Sequence, residues 1–447
     1  MTLQEYINQN YDGSSTWFVD ECIRTWHTDR ISNILNIKEY LNGKHAILAR
    51  PDETYNGRTF KTRKIILQYA KTLLNFETAF LLKNPVTLTS EDKLTLESFK
   101  DIYNKGRYTP LDFKLLDKMV KYGEVYEYLY IDSDKNILSK IILPEDSYPV
   151  FSADGALIAF IEHYTIDGVS YYTVYENDAV KTYTDAGGTL GQTGEFINIS
   201  GLPIQYKTLD EEDDCKGRSS IEDYISILDN MEDLLSKYGD SFYKFLNPIP
   251  VLKGQKLKIG KAGEGAIDPA TVGHVLQIED GSEFKLEQNK MDYQSLKELW
   301  NILKQSLLDV SMTPGVSMNS QEISNLSEVS IKMLFYMATV KGSLNSQYLM
   351  DGFIQRWDKI KKLLEYKNVN VIGNIDCTFE MSIPQNEKEI IDNLKTLKDM
   401  NSISLETLLS RSPYIYDVQT ELTRLKSEEL NKQSKDKVTQ DVVGNKV

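Results

Sequence analysis

The sequence predicts an α+β protein that is mainly helical and is built from several structural units. Three observations predict this fold class. The chain has 447 residues, which is more than one hydrophobic core commonly holds. Apolar residues recur at helical spacing before about residue 120 and over much of the chain after residue 218. Between about residues 122 and 200, short alternating runs separated by turn residues indicate antiparallel strands.

The composition indicates a soluble globular protein that is strongly acidic. Hydrophobic residues make up 41% of the chain, and the formal net charge is −15. Proteins that grip nucleic acid by neutralising phosphates normally carry a basic face. The acidity therefore argues against a tight DNA binder, but not against a surface past which DNA slides. No apolar run approaches the roughly 20 residues that span a bilayer, and the N-terminus does not resemble a signal peptide. We expect a cytoplasmic product that does not contact a membrane.

The N-terminal part is predicted to be helical up to about residue 120. One predicted helix covers Lys61–Leu82, and it ends before Pro85 because a residue that precedes proline is pushed out of the helical region. The next segment changes to strands. Asp154-Gly155 and Asp167-Gly168 separate β-rich runs, and such pairs favour hairpin turns. An antiparallel meander is expected here.

The middle of the chain predicts two long helices with a compact β insert between them. Ser219 and Glu222 have the spacing of a capping box, which opens a helix that continues to about Phe245. Short strands and turns follow over 247–290. Apolar residues from Tyr293 to Val310 then recur in steps of three and four, the repeat of a helix that packs against a neighbouring helix.

A polar loop, Ser311–Asn325, separates these helices from the C-terminal part. After Ser327 no proline occurs until Pro384, and helical periodicity continues to about Tyr366, with a bend expected at Gly342-Ser343. The remaining elements are a strand, several helices and a polar tail. They are predicted at Ile375–Ile383, from Asn386, Leu405 and Asp417, and over 428–447.

Residues that carry chemistry are sparse. The three cysteines are far apart, which excludes a disulfide framework and a zinc cluster and fits a reducing compartment. The four histidines lack metal-ligand spacing, and no P-loop, zinc-protease or serine-hydrolase motif is present. We therefore expect no enzyme, no cofactor and no metal.

Three clusters allow a functional reading beside a structural one. The acids at 210–214 are of the type that binds Mg²⁺ or Ca²⁺, but consecutive acids cannot all point to one centre, so a solvated loop is favoured. The alternating tyrosines at 126, 128 and 130 are a possible sugar or base platform, although cross-strand packing is favoured. A third cluster either meets a partner or DNA or lies in a solvated turn, and both readings stay open; it comprises Lys253, Lys256, Lys258 and Lys261.

A set of short strings occurs in order along most of the chain. The strings are Tyr40–His45, Asn84-Pro85-Val86, Tyr122–Glu127 with Pro144-Glu145, Gly217–Ile225 with Asn247-Pro248, Ser311–Pro314, Ser327–Lys332, Asn386 with Glu389, Ile403–Leu408, Pro413, Asp417 and Glu421. Each string is weak alone, but their order resembles that in the portal proteins of tailed phages that infect Gram-positive bacteria. The chain departs from the family pattern at Glu328, where a glycine is usual, and this removes a hinge before the long helix.

The resemblance implies a portal fold with a helical stem, a β-rich wing and clip, a long kinked wing helix and a helical crown. Its parts are the wing (1–217), stem helix 1 (218–246), the clip (247–290), stem helix 2 (291–310), the tunnel loop (311–326), the long kinked helix with its return strand (327–384), and the crown with a polar tail (385–447).

The resemblance also implies function and partners. Such subunits form a ring, usually dodecameric, at one capsid vertex of the virion after assembly in the host cytoplasm. The ring is the channel for packaging and ejecting double-stranded DNA without sequence specificity. It docks the terminase and then the head-completion adaptor, and it meets the major capsid and scaffolding proteins. The clip lysines at 253, 256, 258 and 261 are candidates for partner docking.

The closest DNA contacts are predicted in the tunnel loop, where short polar groups touch a phosphate backbone without fixed ion pairs. The candidates are Asn319, Ser320, Gln321, Glu322 and Asn325. Stem helix 1 carries six acidic residues against three basic ones, so a channel-lining face would repel phosphate; an ordinary solvated helix face is the alternative. Two rival functions remain at this point, another head-tail or baseplate component and a carboxylate-dependent nuclease using the acids at 210–214.

Overall fold

The computed structural model confirms a mixed α and β fold in which helices predominate. The structure describes residues 1–55, 58–245, 249–253, 281, 283–287, 293–315, 328–369, 373–384, 387–412, 414–415, 418 and 420–427. They form two compact units, residues 1–313 with 340–381 and residues 314–339 with 382–447. No helix in the described ranges is long and apolar enough to cross a membrane.

The first unit begins with helices, as predicted. Thr2 caps the first helix, since its side chain accepts from the amide of Glu5 while the Glu5 carboxylate accepts from the amide of Thr2. The helices are α1 (Leu3–Tyr11), α2 (Trp17–Cys22), α3 (Thr25–Leu41), α4 (Tyr69–Leu82), α5 (Lys93–Lys105) and α6 (Tyr108–Tyr122), with a 3₁₀ turn over Ala46–Ala49.

The predicted helix over Lys61–Leu82 is only partly correct. Helix α4 does end before Pro85, but it begins at Tyr69, and residues 61–67 are neither helix nor strand. The reason is that backbone N–H groups of this segment donate to side chains distant in sequence, as described below, and are not available to a helix.

The predicted strands are present and form two antiparallel sheets. Strands β1 (Glu53–Tyr55), β2 (Arg58–Phe60) and β3 (Thr87–Thr89) precede them. One sheet has the order β11-β4-β5, and the other is a meander with the order β10-β9-β8-β7-β6. Their bounds are β4 (Glu124–Ile131), β5 (Ile137–Ile142), β6 (Ser147–Phe151), β7 (Leu157–Ile166), β8 (Val169–Tyr175), β9 (Ala179–Thr184), β10 (Gly191–Ile197) and β11 (Ile204–Lys207).

The Asp-Gly turns adopt the backbone that the hairpin prediction requires. Gly155 has φ +76°, and Asp167 and Gly168 have φ +50° and +79°. Two of the three tyrosines of β4 pack against rings of the other sheet, Tyr128 with its ring centroid 4.6 Å from that of Tyr175, whereas Tyr130 is 37% exposed. Tyr126 is buried with its ring centroid 4.8 Å from that of Phe160.

The chain then enters helices α7 (Ile225–Phe245) and α8 (Tyr293–Val310), with β12 (Ile249–Lys253) and β13 (Glu283–Glu287) between them. The capping prediction needs a correction. Ser219 caps a 3₁₀ turn over Ser220–Asp223 through the Ile221 amide, and the α-helix begins only at Ile225. The carboxylate of Glu222 contacts the Arg218 side chain at 3.3 Å.

The long helix after the polar loop is confirmed, with one difference. Helices α9 (Glu328–Leu334) and α10 (Tyr336–Tyr366) are interrupted at Phe335, whereas α10 is continuous through Gly342, where we expected a bend. Gly342 instead permits close packing, because an added Cβ would lie 3.2 Å from the sulfur of Met381 and 3.4 Å from the Phe80 ring.

The remaining elements are short. The strand predicted over Ile375–Ile383 is limited to β14 (Asp376–Thr378), because its partner β3 offers only three residues. Helices α11 (Glu387–Asp399) and α12 (Leu405–Ser410) start within about one residue of the predicted points. Ser404 caps α12 by accepting from the Thr407 amide at 3.1 Å.

The core of the first unit is centred on α10. Its apolar residues pack with α4, α6, α7 and the β4 sheet in one cluster that includes Leu349, Phe353 and Ile360. A second cluster joins α1 and α2 to the meander.

A fully buried cation, Arg356 of α10, lies inside the main core. Its Nη1 donates to Asp112 of α6 at 2.6 Å, and its Nε donates to Glu127 of β4 at 2.9 Å. Tyr206 donates to the same Glu127 oxygen at 2.6 Å, and the guanidinium lies 4.5 Å from the centroid of Phe353. Burial raises the pKa of Asp112 to about 6, against the opposing effect of Arg356. The network ties α10 to α6 and the sheet.

Candidate functional site

The candidate site consists of helices α7 and α8, the paired strands β12 and β13 that come between them in the chain, and the polar loop that follows α8. The two helices have 21 and 18 residues, so they measure about 32 Å and 27 Å at 1.5 Å per residue. They contact each other, and β12 and β13 pair antiparallel with Lys253 opposite Glu283.

One side of each helix belongs to the core of the first unit. Leu228 and Met231 of α7 are buried in the main cluster, and Leu307 of α8 joins them with Trp300 and Leu303 at its margin. This confirms, for the central turns of α8, the prediction that its apolar repeat packs against a neighbouring helix. The outer residues of that seam are different, since Tyr293 and Val310 are 59% and 42% exposed.

The base of the polar loop is a defined structure. Beyond α8, the amide of Met312 donates to the carbonyl of Asp309 at 3.2 Å, and that of Thr313 donates to Leu308 at 3.0 Å. Met312 has φ +53°. This pair of bonds around a left-handed residue is the Schellman arrangement that ends a helix. It fixes where the chain leaves α8, as the sequence predicted from Ser311.

A segment that we name the strap, residues 61–67, lies along α7. The amide of Leu67 donates to Glu232 Oε1 at 2.7 Å, that of Ile65 to Ser236 Oγ at 2.9 Å, and that of Arg63 to Asp240 Oδ1 at 2.8 Å. The accepting side chains recur every four residues on one face of the helix, and all three are buried.

Two further polar contacts join α7 to the turn before the strap. His45 Nδ1 lies 2.7 Å from Glu232 Oε1, and both side chains are almost fully buried. Arg50 Nη1 lies 3.0 Å from Asp240 Oδ2. Burial raises the pKa of Glu232, while the Leu67 amide and the His45 ring oppose that rise.

For Glu232 and Asp240, these contacts exclude the channel-lining alternative that the sequence left open for the acids of stem helix 1; for the other four acids that alternative stays a prediction. Glu232 is fully buried and Asp240 is 7% exposed, and both bind the strap. The exposed acids of the helix are paired, Asp223 with Arg218 at 2.9 Å and Asp233 with Lys237 at 2.7 Å. Most of the acidic side chains counted in stem helix 1 are therefore paired with groups of the same subunit.

The acids at 210–214 do not converge on a centre. Asp213 accepts from the indole of Trp26 at 2.7 Å and from the Cys215 amide at 2.8 Å, and Lys216 lies 3.8 Å from Asp210. The loop borders a cavity of about 580 Å³ that also contains the buried Arg30–Glu124 pair. Throughout the ranges that the structure describes, no group of three or more His, Cys, Asp and Glu could hold a metal ion. These carboxylates give the nuclease reading no support.

The predicted site residues fall mostly outside the described part of the chain. The residues outside the described ranges are Asn319, Ser320, Gln321, Glu322 and Asn325 of the tunnel loop and Lys256, Lys258 and Lys261 of the clip. Lys253 is described and exposed on β12. Their roles stay predictions. Sequence reasoning missed the strap, although a glycine at 239 within a predicted helix was a visible signal of a close contact.

The fold is thus of the α+β class, with α7 and α8 on either side of the paired strands β12 and β13 in the chain. Comparison with known proteins identifies the family. A family model described as "Phage portal protein, SPP1 Gp6-like" matches residues 20–435, so the chain belongs to this family of phage portal proteins. Its function is that of a portal protein at the phage head vertex, and it is a component of the virion.

Individual relatives are distant. The portal protein of Bacillus phage SPP1 is 20% identical over 402 residues, which cover 80% of this chain and 74% of that protein. Among solved structures, the neck of an empty gene transfer agent (GTA) particle computed with C6 symmetry has a TM-score of 0.47 and 12% identity over 79% of this chain and 88% of that chain. The neck of a native GTA particle computed with C12 symmetry has a TM-score of 0.45 and 13% identity over 76% and 89%.

Proposed function

We propose that this portal subunit assembles with copies of itself into a closed ring, dodecameric in the capsid, whose central channel passes double-stranded DNA during packaging and ejection. Family membership is the observation that carries the proposal. The subunit works as a structural part and not as an enzyme, so the energy for packaging comes from a terminase that docks on the ring. A head-completion adaptor binds later, and the major capsid and scaffolding proteins surround the vertex.

In this proposal α7 and α8 are the stem, and the segment 247–290 is the clip to which the terminase and the adaptor dock. The anchoring of both helices in the main core supports the assignment, because a stem must hold its position under load. The exposed Lys253 on β12 supports a docking role for the clip lysines. On the paired strand β13, Glu283 lies opposite Lys253, and Lys285 Nζ lies 2.8 Å from the Glu283 carboxylate.

We further propose that DNA passes closest to the tunnel loop, at Asn319, Ser320, Gln321, Glu322 and Asn325. Support comes from the base of the loop. The Schellman end of α8 gives the chain a defined point of departure at Thr313, directly before the loop. Neutral groups and one carboxylate contact phosphates without the strong ion pairs that would hold DNA in place.

Shortening the loop tests this role. Deletion of residues 319–325 is expected to slow or stall DNA packaging while rings still assemble, because the channel loses its closest contacts with DNA. Packaged DNA per particle is measured by nuclease protection, and rings are counted by electron microscopy. The matched control replaces two exposed amide side chains elsewhere, Gln4→Ala with Asn8→Ala on α1. Normal packaging by the shortened loop contradicts the proposal.

A further inference from the structure

The strap and α7 match each other in spacing. Three N–H groups, two residues apart along the strap, donate to three side chains that are four residues apart on the helix. Four helical residues rise about 6.0 Å, and two extended residues advance about 6.6 Å. An extended segment therefore stays in step with one face of a helix over three contacts. Sliding the strap along α7 would break all three bonds together.

Gly239 provides a second, independent observation. A glycine inside a helix costs about 1 kcal/mol relative to alanine. At this position an added Cβ would lie 3.2 Å from Arg63 Cδ and 3.7 Å from Ile65 Cδ1. The side chains of Arg63 and Ile65 thus lie over the backbone of α7 at Gly239, and an added Cβ would press on the Arg63 side chain.

The strap is in turn held from its other side by the 3₁₀ turn over Ala46–Ala49. Lys64 Nζ donates to the carbonyl of Leu48 at 2.8 Å, and the Thr62 amide donates to Asp52 at 3.1 Å. His45 joins this turn to α7 through Glu232 and stacks on Tyr40 of α3 with ring centroids 3.9 Å apart. Hydrogen bonds and ion pairs therefore connect α7, the strap and the turn, and the stacking of His45 on Tyr40 connects the turn to α3.

We propose that the strap fixes the position of α7 along the first unit. Helix α7, the strap and the 3₁₀ turn with its flanking residues His45 and Arg50 then move as one piece. A displacement of α7 is therefore transmitted to α3. Glu232, Ser236 and Asp240 are the positioning residues. Two of them, Glu232 and Asp240, are among the acids for which the sequence left a channel-lining role open. The proposal rests on the proposed function only in taking α7 as part of the stem.

Hydrogen exchange of the purified full-length protein, resolved to single residues, tests whether the strap is held by α7. The amides of Arg63, Ile65 and Leu67 are expected to exchange at least tenfold more slowly than those of Lys64 and Ile66, because only the first three donate to α7. Uniform exchange along the strap overturns the proposal. This measurement needs no variant.

Ser236→Ala tests whether the strap positions the helix. Removing the hydroxyl deprives the Ile65 amide of its acceptor, so exchange at residues 63–67 is expected to accelerate about fivefold. If the pieces move together, the α7 amides at residues 236–242 accelerate by a similar factor. Ser226→Ala is the matched control, since Ser226 is exposed on the same helix. Faster exchange in the strap with unchanged exchange in α7 overturns the coupling.

Ring images of the same samples separate this inference from the proposed function. If the wild-type protein forms no rings, the proposed function fails, while the exchange pattern still decides whether the strap holds α7. If rings form and Ser236→Ala exchanges like Ser226→Ala at every amide of α7 and the strap, the inference fails and the portal role stands.

Discussion

Replacing Arg356 with methionine is expected to lower the free energy of unfolding by about 3–5 kcal/mol, the usual loss when one partner of a buried ion network is removed. The guanidinium is fully buried between the carboxylates of Asp112 and Glu127. Methionine fills much of its volume but leaves two acids in the core with no cation. Urea unfolding followed by tryptophan fluorescence measures the change, and Trp357 is adjacent in the sequence.

Two further variants make this prediction specific. Arg424→Met changes the same residue type at a site with a 71% exposed side chain, and a change within about 0.5 kcal/mol is expected there. Adding Asp112→Asn and Glu127→Gln to Arg356→Met removes the unpaired charges and is expected to restore part of the stability. A loss for Arg356→Met no larger than that for Arg424→Met would show that the network does not hold α10.

Gly217→Ala is expected to cost about 3 kcal/mol, at the upper end of the range for overpacking. An added Cβ would lie 2.0 Å from the carbonyl oxygen of Gly123, and that oxygen cannot move aside because it accepts from the Thr208 amide at 2.9 Å. The backbone of Gly123 itself has φ +85° at the end of α6. The two glycines let the connection into α7 cross the start of β4.

Gly187→Ala is the matched control for this variant. No atom lies within 4 Å of the position of its Cβ, so a change within about 0.5 kcal/mol is expected. Thermal unfolding of both variants beside the wild-type protein is the measurement. Equal stability of Gly217→Ala and Gly187→Ala would mean that the contact between the two glycine backbones relaxes without cost.

The parts of the fold that follow from local signals were predictable from the sequence. The glycines of the two Asp-Gly pairs adopt positive φ and mark turns of the meander, and Pro85 marks the end of α4. The apolar repeat from Tyr293 to Val310 gives the bounds of α8. Each of these features depends on residues close to one another in the chain.

Features that depend on distant partners were not predictable in the same way. Ile65, Ile66 and Tyr69 have helical spacing, but the strap amides bind side chains more than 160 residues away, and this prevents a helix over 61–67. The acids of α7 show the same limit for the candidate site. From the sequence, a carboxylate on an amphipathic helix is expected to face solvent. Only the packed structure shows that Glu232 and Asp240 are buried hydrogen-bond acceptors. The DNA contacts in the tunnel loop and the docking role of the clip lysines stay predictions.

Electron microscopy of the purified full-length protein tests the central claim most directly. A portal subunit is expected to form closed rings with a central hole wide enough for double-stranded DNA, and class averages viewed along the axis should show one rotational symmetry of about twelve-fold order. The account would be contradicted if the folded wild-type protein formed monomers, open filaments or closed particles without a hole.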